Sequence, residues 1–550
     1  QQSGIFRSSN LKPAYSILRL CGRAAPRPAP PPSWIGCLRE YTTLALETNR
    51  RHFFLGSLLA GAVPAAGFGS TPSLKLAGYK SPNEKLNIAS IGAGGKASSD
   101  IAACAPTENI VALCDVDDRQ AAATYKRYES VPKYKDFRRM LDKEDKNIDA
   151  VIVCTPDHMH GMQAMWCMER GKHVYVQKPL TRTVWEARQL LEAARKYKVA
   201  TQMGNQGYSN EGTRQVAEMI WAGEIGEVRE VHAWTDRPIW PQGLTSIPPE
   251  EPVPETLDWD LWLGIADMRP FTSGKDTGKY PNRFGGYFYQ PFNWRGFYDF
   301  GCGALGDMAC HILGAPNMAL QLGPPKSVEC IKKEGTSPFM FPERSVIKFE
   351  FPARGNMPPV ALYWYDGCKE TPKIEGVPEG EWLGDMPFLT GGGQGQQGGP
   401  PRQAQRTGYI GRLFDYEQYE AMRKEPDKLR FPPPDGALFV GSKGMITTGT
   451  YGEQTRLIPA EKMKDYRFPA PLLTRSPGHY RDWIRACKGG EPACSNFEVA
   501  APFTEWMLLG VIALRVEGKL EYDPVKMRFT NNNEANKYLK PTFRKGWSFA

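Results

Sequence analysis

Asp307 and His311 place a carboxylate and an imidazole four residues apart, a spacing that could support proton transfer. Side chains at positions i and i+4 lie on one face of a helix, and the sequence predicts a glycine-led helix over residues 303–320. A carboxylate beside an imidazole favours the charged ring and can set its orientation. A histidine held in this way can accept the proton of a hydroxyl while hydride leaves the same carbon atom. The alternative interpretation is an ordinary ion pair on the surface of a helix.

A glycine-rich turn between a predicted strand and a predicted helix could bind the phosphates of a dinucleotide. Gly92 permits a tight turn, Gly94 lets the backbone approach a pyrophosphate, and the small Ala97 lets the helix pack on the strand. Asp115 ends the next apolar run, about twenty residues further on, where a carboxylate accepts hydrogen bonds from both ribose hydroxyls of NAD. A 2′-phosphate would meet this carboxylate, so we expect NAD rather than NADP. The predicted cofactor-binding residues of the turn are Gly92, Gly94, Gly95 and Ala97.

Lys178 follows a predicted strand over residues 173–177 and precedes Pro179, which can fix the turn. Ligands of doubly wound sheets bind beyond the carboxyl ends of the strands. A lysine at this position can reach the nicotinamide edge of a dinucleotide and stabilise a developing oxyanion on a substrate. The alternative interpretation is a solvated loop lysine.

The composition limits the classes of protein to which this chain can belong. With 550 residues the chain can hold two or three domains, and with 41% hydrophobic and 23% charged residues it is globular. The net charge of +9 is spread over mixed basic and acidic residues, so no nucleic-acid partner is predicted. No metal site is predicted either, because the sequence contains no His-Glu-x-x-His motif and no Cys-x-x-Cys pair.

The elements that must position these residues change in pattern near residue 204. Strands and helices alternate over residues 86–204, which predicts an α/β domain with a doubly wound parallel sheet. An aromatic and proline-rich stretch follows, and then strands that predict an α+β domain with a large open, mostly antiparallel sheet. We therefore predict a Rossmann NAD-binding domain over 81–204, a substrate-binding and oligomerisation domain over 205–530, and a tail over 531–550.

Residues 1–80 are predicted to be a leader with an export signal. Residues 49–55 contain Arg50 and Arg51 and resemble a twin-arginine signal, and an apolar stretch follows them. That stretch is too short and too rich in glycine to span a membrane. We expect export to the periplasm without a stable membrane span, or a cytoplasmic protein where the signal is not used.

Aromatic residues are concentrated before the predicted helix that carries Asp307. Six of the fourteen tryptophans fall between Trp221 and Trp294. Flat apolar faces next to polar groups suit sugar rings, although packing in the core is the alternative interpretation for many of them. We predict that Trp294, Arg295 and Tyr298 lie near the substrate, which we expect to be a carbohydrate or polyol.

Taken together, these residues resemble the glucose–fructose oxidoreductase, inositol dehydrogenase and MocA family (Gfo/Idh/MocA). The resemblance depends on the glycine turn, on Asp115 and on three further stretches, which are residues 154–160, 177–179 and 306–311. Residues 258–264, together with residues 293–295 and 303–311, are similar to the exported bacterial branch of that family. The family's usual Glu-Lys-Pro is Gln-Lys-Pro at residues 177–179, so one charge beside the lysine is lost.

The resemblance implies roles for particular residues. It implies Lys178, Asp307 and His311 as the catalytic group. It also implies a homo-oligomer, either a dimer or a tetramer. The residues that it implies along the cofactor groove are Thr155, Pro156, His160 and Lys178.

Three functions remain open at this point. The first is an NAD(P)-dependent oxidoreductase that acts on a sugar, glycoside or polyol hydroxyl. An exported protein would hold its cofactor tightly, because free NAD is scarce outside the cytoplasm, and would restore the cofactor within each turnover. The second is a redox-neutral glycosidase or lyase that acts through a transient keto-sugar. The third is a non-catalytic NAD-binding scaffold.

Overall fold

The computed structural model describes residues 83–274, 286–390 and 413–549. The predicted leader over residues 1–80, with its twin-arginine motif, lies outside these ranges and stays a prediction. Among the residues described, no helix combines the length and apolar character that crossing a membrane requires.

A six-stranded parallel sheet forms the first part of the described chain. Its strand order is β3-β2-β1-β4-β5-β6, which is the order of a Rossmann fold and confirms the predicted doubly wound sheet. The strands are β1 (Asn87–Ile91), β2 (Asn109–Cys114), β3 (Lys133–Tyr134), β4 (Ala150–Val153), β5 (His173–Val176) and β6 (Thr201–Met203). The helices between them are α1 (Gly95–Cys104), α2 (Asp118–Arg127), α3 (Phe137–Glu144), α4 (Asp157–Glu169) and α5 (Val184–Tyr197).

Local sequence explains why these elements form. Every residue of β4 and of β5 is buried, as expected for strands that helices cover on both faces. Helix α5 begins with a capping box, in which Glu186 Oε2 accepts from the N–H of Thr183 at 3.0 Å. The carboxyl ends of β1, β2, β4 and β5 meet at one edge of the sheet, where the predicted cofactor residues follow them.

A nine-stranded sheet forms the core of the second part of the described chain. Its order is β15-β14-β13-β7-β10-β9-β8-β16-β17, and only the β7–β10 pair is parallel. The predicted large, mostly antiparallel sheet is therefore confirmed. The strands of this sheet are β7 (Val228–Trp234), β8 (Ser327–Glu334), β9 (Arg344–Phe351), β10 (Val360–Asp366), β13 (Gly436–Gly441), β14 (Gly444–Thr448), β15 (Arg456–Ile458), β16 (Leu520–Asp523) and β17 (Arg528–Phe529), and β11 (Phe388–Leu389) pairs with β12 (Leu429–Arg430) outside it.

Two buried helices connect the sheets and carry catalytic candidates. Helix α8 (Gly303–Ile312) is buried along its whole length and packs against α12 (Phe497–Ala513). Helix α12 in turn packs against α5 and against β8 and β9. Asp307 and His311 are therefore fixed between the two parts of the chain. The remaining helices are α6 (Glu211–Trp221), α7 (Trp259–Leu263), α9 (Gly314–Ala319), α10 (Tyr416–Arg423), α11 (His479–Cys487) and α13 (Asn533–Asn536).

Much of the aromatic stretch before α8 is a small hydrophobic core of its own. Trp259 and Trp262 stack with ring centroids 4.8 Å apart, and Phe300 meets Trp262 edge to face at the same distance. Tyr289 is buried among these rings. Packing therefore accounts for most of the aromatic residues that could have been assigned to a sugar.

Candidate active site

The glycine turn connects β1 to α1 at the base of a large cleft. Gly92 has a φ of +94°, and a Cβ atom there would lie 2.2 Å from the carbonyl oxygen of Cys154. A Cβ atom on Gly94 would lie 2.5 Å from the carbonyl oxygen of Gln120, so both glycines are required by close backbone contacts within the fold. A Cβ atom on Gly95 would meet nothing within 4 Å, so the turn is open toward the cleft at this residue. Ala97 is buried, as its packing role predicts, and does not line the cleft.

The first turn of α1 suits an anionic group. Gly94 is the N-cap residue, so no side chain caps this end of the helix, and the first turn contains no acidic residue. The N–H groups of a helix N-terminus and its dipole favour a negatively charged ligand. The turn therefore fits the pyrophosphate of a dinucleotide.

Asp115 is held rigidly at the end of β2. Its Oδ2 accepts from the N–H groups of Ala93 at 2.8 Å and Gly94 at 3.2 Å, and its Oδ1 accepts from the N–H of Asp117 at 3.0 Å. Burial raises the pKa of Asp115, while these three hydrogen bonds favour the ionised form. The carboxylate lines the cleft beside the turn, where a ribose hydroxyl could reach it.

The cleft has a volume of about 2070 Å³ and is lined by residues of both sheets and their helices. Pockets for small ligands measure about 300–1,000 Å³, so this one has room for a dinucleotide and a second molecule. The sequence-predicted residues that line it are Gly92, Gly94, Gly95, Asp115, Thr155, Pro156, Lys178, Trp294, Arg295, Asp307 and His311.

Besides Ala97, two predicted site residues lie outside the cleft. The ring nitrogens of His160 lie 2.8 Å from the carbonyl oxygens of Pro179 and Thr155, so His160 ties together two loops of the groove rather than lining it. Tyr298, which was predicted to lie near the substrate, does not line the cleft. Its ring packs edge to face on Phe341 at 4.6 Å, and the Arg515 guanidinium lies 4.4 Å from its centroid, beside a separate small cavity.

Lys178, Asp307 and Arg295 form a buried ion triad. Lys178 Nζ donates to Asp307 Oδ1 at 2.5 Å and to the Asp307 carbonyl at 3.0 Å. Arg295 Nε donates to the same Oδ1 at 2.9 Å. Burial alone would raise the pKa of Asp307, but the two cations outweigh it and hold that pKa well below its usual range. Asp307 is therefore ionised and fixes the position of the Lys178 ammonium.

His311 does not receive the hydrogen bond that its spacing from Asp307 predicts. Its Nδ1 is buried and has no hydrogen-bond partner in the part of the chain that the structure describes. Its ring meets the edge of Tyr451 at 4.8 Å. Burial, with Lys178 nearby, holds the pKa of His311 well below its ordinary value. The expectation that Asp307 orients this ring is thus corrected. Asp307 pairs with Lys178 instead, and packing contacts hold the neutral imidazole of His311 in place.

A buried carboxylate from α1 stands beside Gln177. Gln177 Nε2 donates to Asp100 Oδ2 at 2.7 Å, and Tyr480 donates to Asp100 Oδ1 at 2.5 Å. Lys96 forms an ion pair with the same carboxylate. Sequence reasoning missed Asp100, although its separation of four residues from Lys96 on α1 was a signal. The family pattern has a glutamate where this chain has Gln177. The negative charge that is missing at Gln177 is carried by the neighbouring carboxylate of Asp100.

We predict that Gln177→Glu lowers the free energy of unfolding by about 1–3 kcal/mol, because it places a second buried carboxylate next to that of Asp100. Urea denaturation measures this change. Adding Asp100→Asn should recover most of the loss, since the glutamate would then face an amide. Equal stability of Gln177→Glu and the wild type would contradict the contact.

Asp157 is a second buried acid that sequence reasoning did not single out. It lies in the first turn of α4, and burial raises its pKa to about 7, against the opposing effects of Arg295 and Lys178. Such a carboxylate changes its protonation near neutral pH. It therefore adds a titrating group behind the ion triad.

The second sheet supplies further polar groups to the cleft. Arg295 lies over Trp294, with its guanidinium 4.3 Å from the ring centroid, and Trp294 is itself buried. Only a small part of Trp294 is therefore open to a ligand. The polar residues on this side that sequence reasoning missed are Arg237, Asp385, Tyr451 and Glu453.

The parallel sheet, its glycine turn and the acid after the second strand define a dinucleotide-binding Rossmann domain. Residues 86–205 also match the model of the Gfo/Idh/MocA family, described as an oxidoreductase family with an NAD-binding Rossmann fold. This match confirms the resemblance of this part of the chain to the family, and it confirms NAD as the cofactor.

Curated relatives match parts of the chain. Inositol 2-dehydrogenase of Salmonella typhimurium is 30% identical over 125 residues, which are 22% of this chain and 37% of the relative. D-glucoside 3-dehydrogenase of Escherichia coli is 32% identical over 147 residues, which are 26% and 41%. A glycosyl hydrolase family 109 protein of Shewanella putrefaciens is 30% identical over 205 residues, which are 33% and 44%. The chain thus spans less than half the length of these three relatives.

Among solved structures, the WlbA dehydrogenase from Bordetella pertussis, in complex with NADH and UDP-GlcNAcA, aligns with 80% of this chain and 99% of its own. The identity is 14% and the TM-score is 0.49.

Proposed function

We propose that this protein is an NAD-dependent oxidoreductase that acts on a hydroxyl-bearing carbon of a sugar, glycoside or polyol and retains its cofactor through turnover. One observation carries the proposal. Lys178 and His311 line the same cleft as the glycine turn and Asp115. A proton acceptor, a cation and a dinucleotide site thus share one space.

Each residue of the site has a chemical task in this proposal. The glycine turn and the N-terminus of α1 would hold the pyrophosphate, and Asp115 would hold the ribose. NAD supplies the acceptor for the hydride when it is bound. His311, as a neutral imidazole, takes the proton of the substrate hydroxyl. Lys178, fixed by Asp307, stabilises the negative charge that develops on that oxygen.

We predict that Asp115→Ser weakens NAD binding about 10-fold and reduces the preference for NAD over NADP. The physical reason is that the carboxylate accepts from two ribose hydroxyls but repels a 2′-phosphate. Titration of both nucleotides measures the two dissociation constants. Asp142→Ser is the matched control, because Asp142 is an exposed acid of α3 that pairs with Arg170 and does not line the cleft. Tighter binding of NADP than NAD by the wild type would contradict this role.

The substrate class follows from the polar lining of the cleft and from the relatives. Charged and hydroxyl groups from the second sheet suit a ligand with many hydroxyls. The names of the matched relatives include an inositol dehydrogenase and a glucoside dehydrogenase. We therefore propose a carbohydrate or polyol as the substrate.

A redox-neutral glycosidase or lyase is the second candidate. The match to a glycosyl hydrolase family 109 protein over 205 residues favours it. In this scheme a ring hydroxyl is oxidised first, which acidifies the neighbouring C–H bond and permits elimination of the aglycone. In a glycosidase water adds to the double bond that elimination leaves, whereas in a lyase it does not; the hydride then returns to the keto group, so the same residues serve both candidates. A non-catalytic scaffold would have no need for the buried triad and neutral histidine, which argues against that third function.

Product analysis tests the proposal and separates the candidates. Purified protein is denatured and the released nucleotide is identified. The native protein is then incubated with a panel of glycosides and polyols. Net formation of reduced nicotinamide supports the dehydrogenase, whereas release of aglycone without net reduction supports the redox-neutral enzyme. Absence of both reactions across the panel would contradict an enzymatic role on this substrate class.

Organisation and location stay part of the proposal. We propose a cofactor domain over residues 81–204, a substrate-binding and oligomerisation domain over 205–530 and a tail over 531–550. We also propose twin-arginine export to the periplasm and a dimer or tetramer. Light scattering of the purified protein measures its assembly state, and a fractionation assay measures its export.

A further inference from the structure

We propose that residues 254–264, here called the cap, form the outer wall of the cofactor site and hold the dinucleotide in the cleft. Residues 538–549 of the tail fasten the cap from outside. Release of NAD then requires the cap to detach. This inference rests on the proposed function, because it explains how a cofactor is retained between turnovers.

The cap is bonded to the loop that follows β2. Asp117 and Leu257 form an antiparallel bridge. This loop begins directly after Asp115, so a ribose bound to that carboxylate would lie next to the cap. Lys135 strengthens the junction, because its Nζ donates to the carbonyl of Thr256 at 3.0 Å. The backbone hydrogen bonds on either side of the bridge run from Asp118 N to Thr256 O (3.0 Å) and from Asp258 N to Val116 O (2.9 Å).

The cap is also bonded to the first turn of α4, beyond β4. His158 Nε2 lies 3.1 Å from the carbonyl oxygen of Trp262. Burial lowers the pKa of His158 to about 3, so the neutral ring donates from Nε2 to this carbonyl. A Cβ atom on Gly264 would lie 2.1 Å from the Met159 sulfur, which shows how closely the Met159 side chain packs on the backbone of the cap. The cap thus bridges the loops after β2 and β4, which form the two walls of this end of the cleft.

Side chains of the cap face the cleft. Leu261 and Trp262 line the same cavity as Asp115. They add apolar surface to the lining of this cavity. An adenine ring bound beyond the ribose would find an apolar wall there, as aromatic and aliphatic side chains provide in cofactor sites.

Arg544 of the tail fastens the cap. Its Nη1 pairs with Asp260 at 2.5 Å, and its Nη2 donates to the Asp260 carbonyl at 2.9 Å. Its Nε donates to the Gly264 carbonyl at 2.9 Å, and its backbone N–H donates to Ile265 at 3.0 Å. Three of these four contacts are to the cap, and all three would have to break for the cap to detach.

Trp547 extends the wall that the cap begins. It lines the cleft and stacks on Phe137, with ring centroids 6.2 Å apart. The guanidinium of Arg138 lies 4.4 Å from its ring centroid, a cation–π contact. The tail therefore reaches the Rossmann domain as well as the cap and holds the two together.

Dissociation of NADH tests the inference without any need for the substrate. The protein is loaded with NADH, and the loss of bound-state fluorescence is followed after addition of excess NAD. We expect Arg544→Ala and Trp547→Ala each to release NADH about 10-fold faster than the wild type or more, since interface losses act mainly on dissociation rates. Lys545→Ala removes an exposed charge from the same tail and should release NADH at the wild-type rate. Wild-type rates in both test variants, with unchanged melting temperatures, would overturn the proposal.

A cross-link gives the opposite effect and does not depend on weakening the fold. Asp117 and Leu257 face each other as a non-hydrogen-bonded antiparallel pair, for which Cα atoms lie about 4.5 Å apart, within reach of a disulfide. In Asp117→Cys with Leu257→Cys, oxidation should slow NADH release about 10-fold and reduction should restore it. Equal rates in the oxidised and reduced forms would overturn the proposal.

The two proposals fail separately. If the protein oxidises a sugar but releases NADH rapidly, the cap proposal and the retention of the cofactor are wrong, and the proposed oxidation of a carbohydrate stands. If the protein retains NADH but acts on no carbohydrate, the proposed function is wrong and the cap proposal stands.

Discussion

Lys178→Met should reduce hydride transfer from the substrate to bound NAD about 100- to 1000-fold, the usual effect of removing one group that stabilises an oxyanion. The methionine keeps the length of the side chain and removes its charge. Asp307 still has Arg295 at 2.9 Å, so its carboxylate is not left unpaired and the fold should survive. Stopped-flow absorbance of reduced nicotinamide measures the rate once the panel has given a substrate.

The control for this change is Lys196→Met, which removes an exposed lysine of α5. It should leave the rate and the bound nucleotide unchanged. If Lys178→Met transferred hydride at the wild-type rate, Lys178 would have no part in the chemistry and the ion triad would be structural.

His311→Asn should lower turnover about 100- to 10,000-fold while NAD remains bound, because the proton acceptor is lost and the cofactor contacts lie elsewhere. Asparagine preserves some of the polarity and volume of the ring. Steady-state turnover and the nucleotide content of the purified variant are the two measurements. His232→Asn is a matched control, since that imidazole pairs with Glu230 and Tyr365 on the second sheet. Wild-type turnover in His311→Asn would contradict the assignment.

The pH dependence of the wild type provides a further check on His311. A depressed pKa means that the ring is neutral, and able to accept a proton, at every pH above that depressed value. The rate should therefore show no loss from protonation of His311 as the pH falls from 8 through the ordinary histidine pKa of about 6.5. A half-maximal rate near that pKa that disappears in His311→Asn would show that the ring titrates normally.

The Rossmann sheet could be predicted because its signal is local. Residues 150–153 and 173–176 are continuous apolar runs, and runs of this kind between helices are typical of strands buried on both faces. The second sheet could be predicted only as a class. Its order depends on β7 pairing with β10 in parallel and with β13 in antiparallel orientation, across more than a hundred residues, and no local pattern carries that information.

The candidate site shows the same limit. The spacing of Asp307 and His311 places both on one helix face, but it does not show which groups from other elements reach them. Lys178, which follows β5 of the parallel sheet, pairs with the Asp307 carboxylate. The spacing had suggested that this carboxylate pairs with His311. Asp100 meets Gln177 across 77 residues, which only tertiary packing determines.

Transfer of deuterium from the substrate to the nicotinamide tests the central claim most directly. The native protein with its bound nucleotide is mixed with a glycoside or polyol that the panel identified as a substrate and that is deuterated at every carbon. The reaction is quenched with cold methanol after increasing times, and the mass of the nucleotide is measured by mass spectrometry. We predict that one deuterium appears on the nicotinamide, lastingly in a dehydrogenase and transiently in a redox-neutral enzyme, and that Lys178→Met greatly delays it. An unlabelled nucleotide at every quench time, while the substrate is consumed, would contradict the claim that this cleft transfers hydride to NAD.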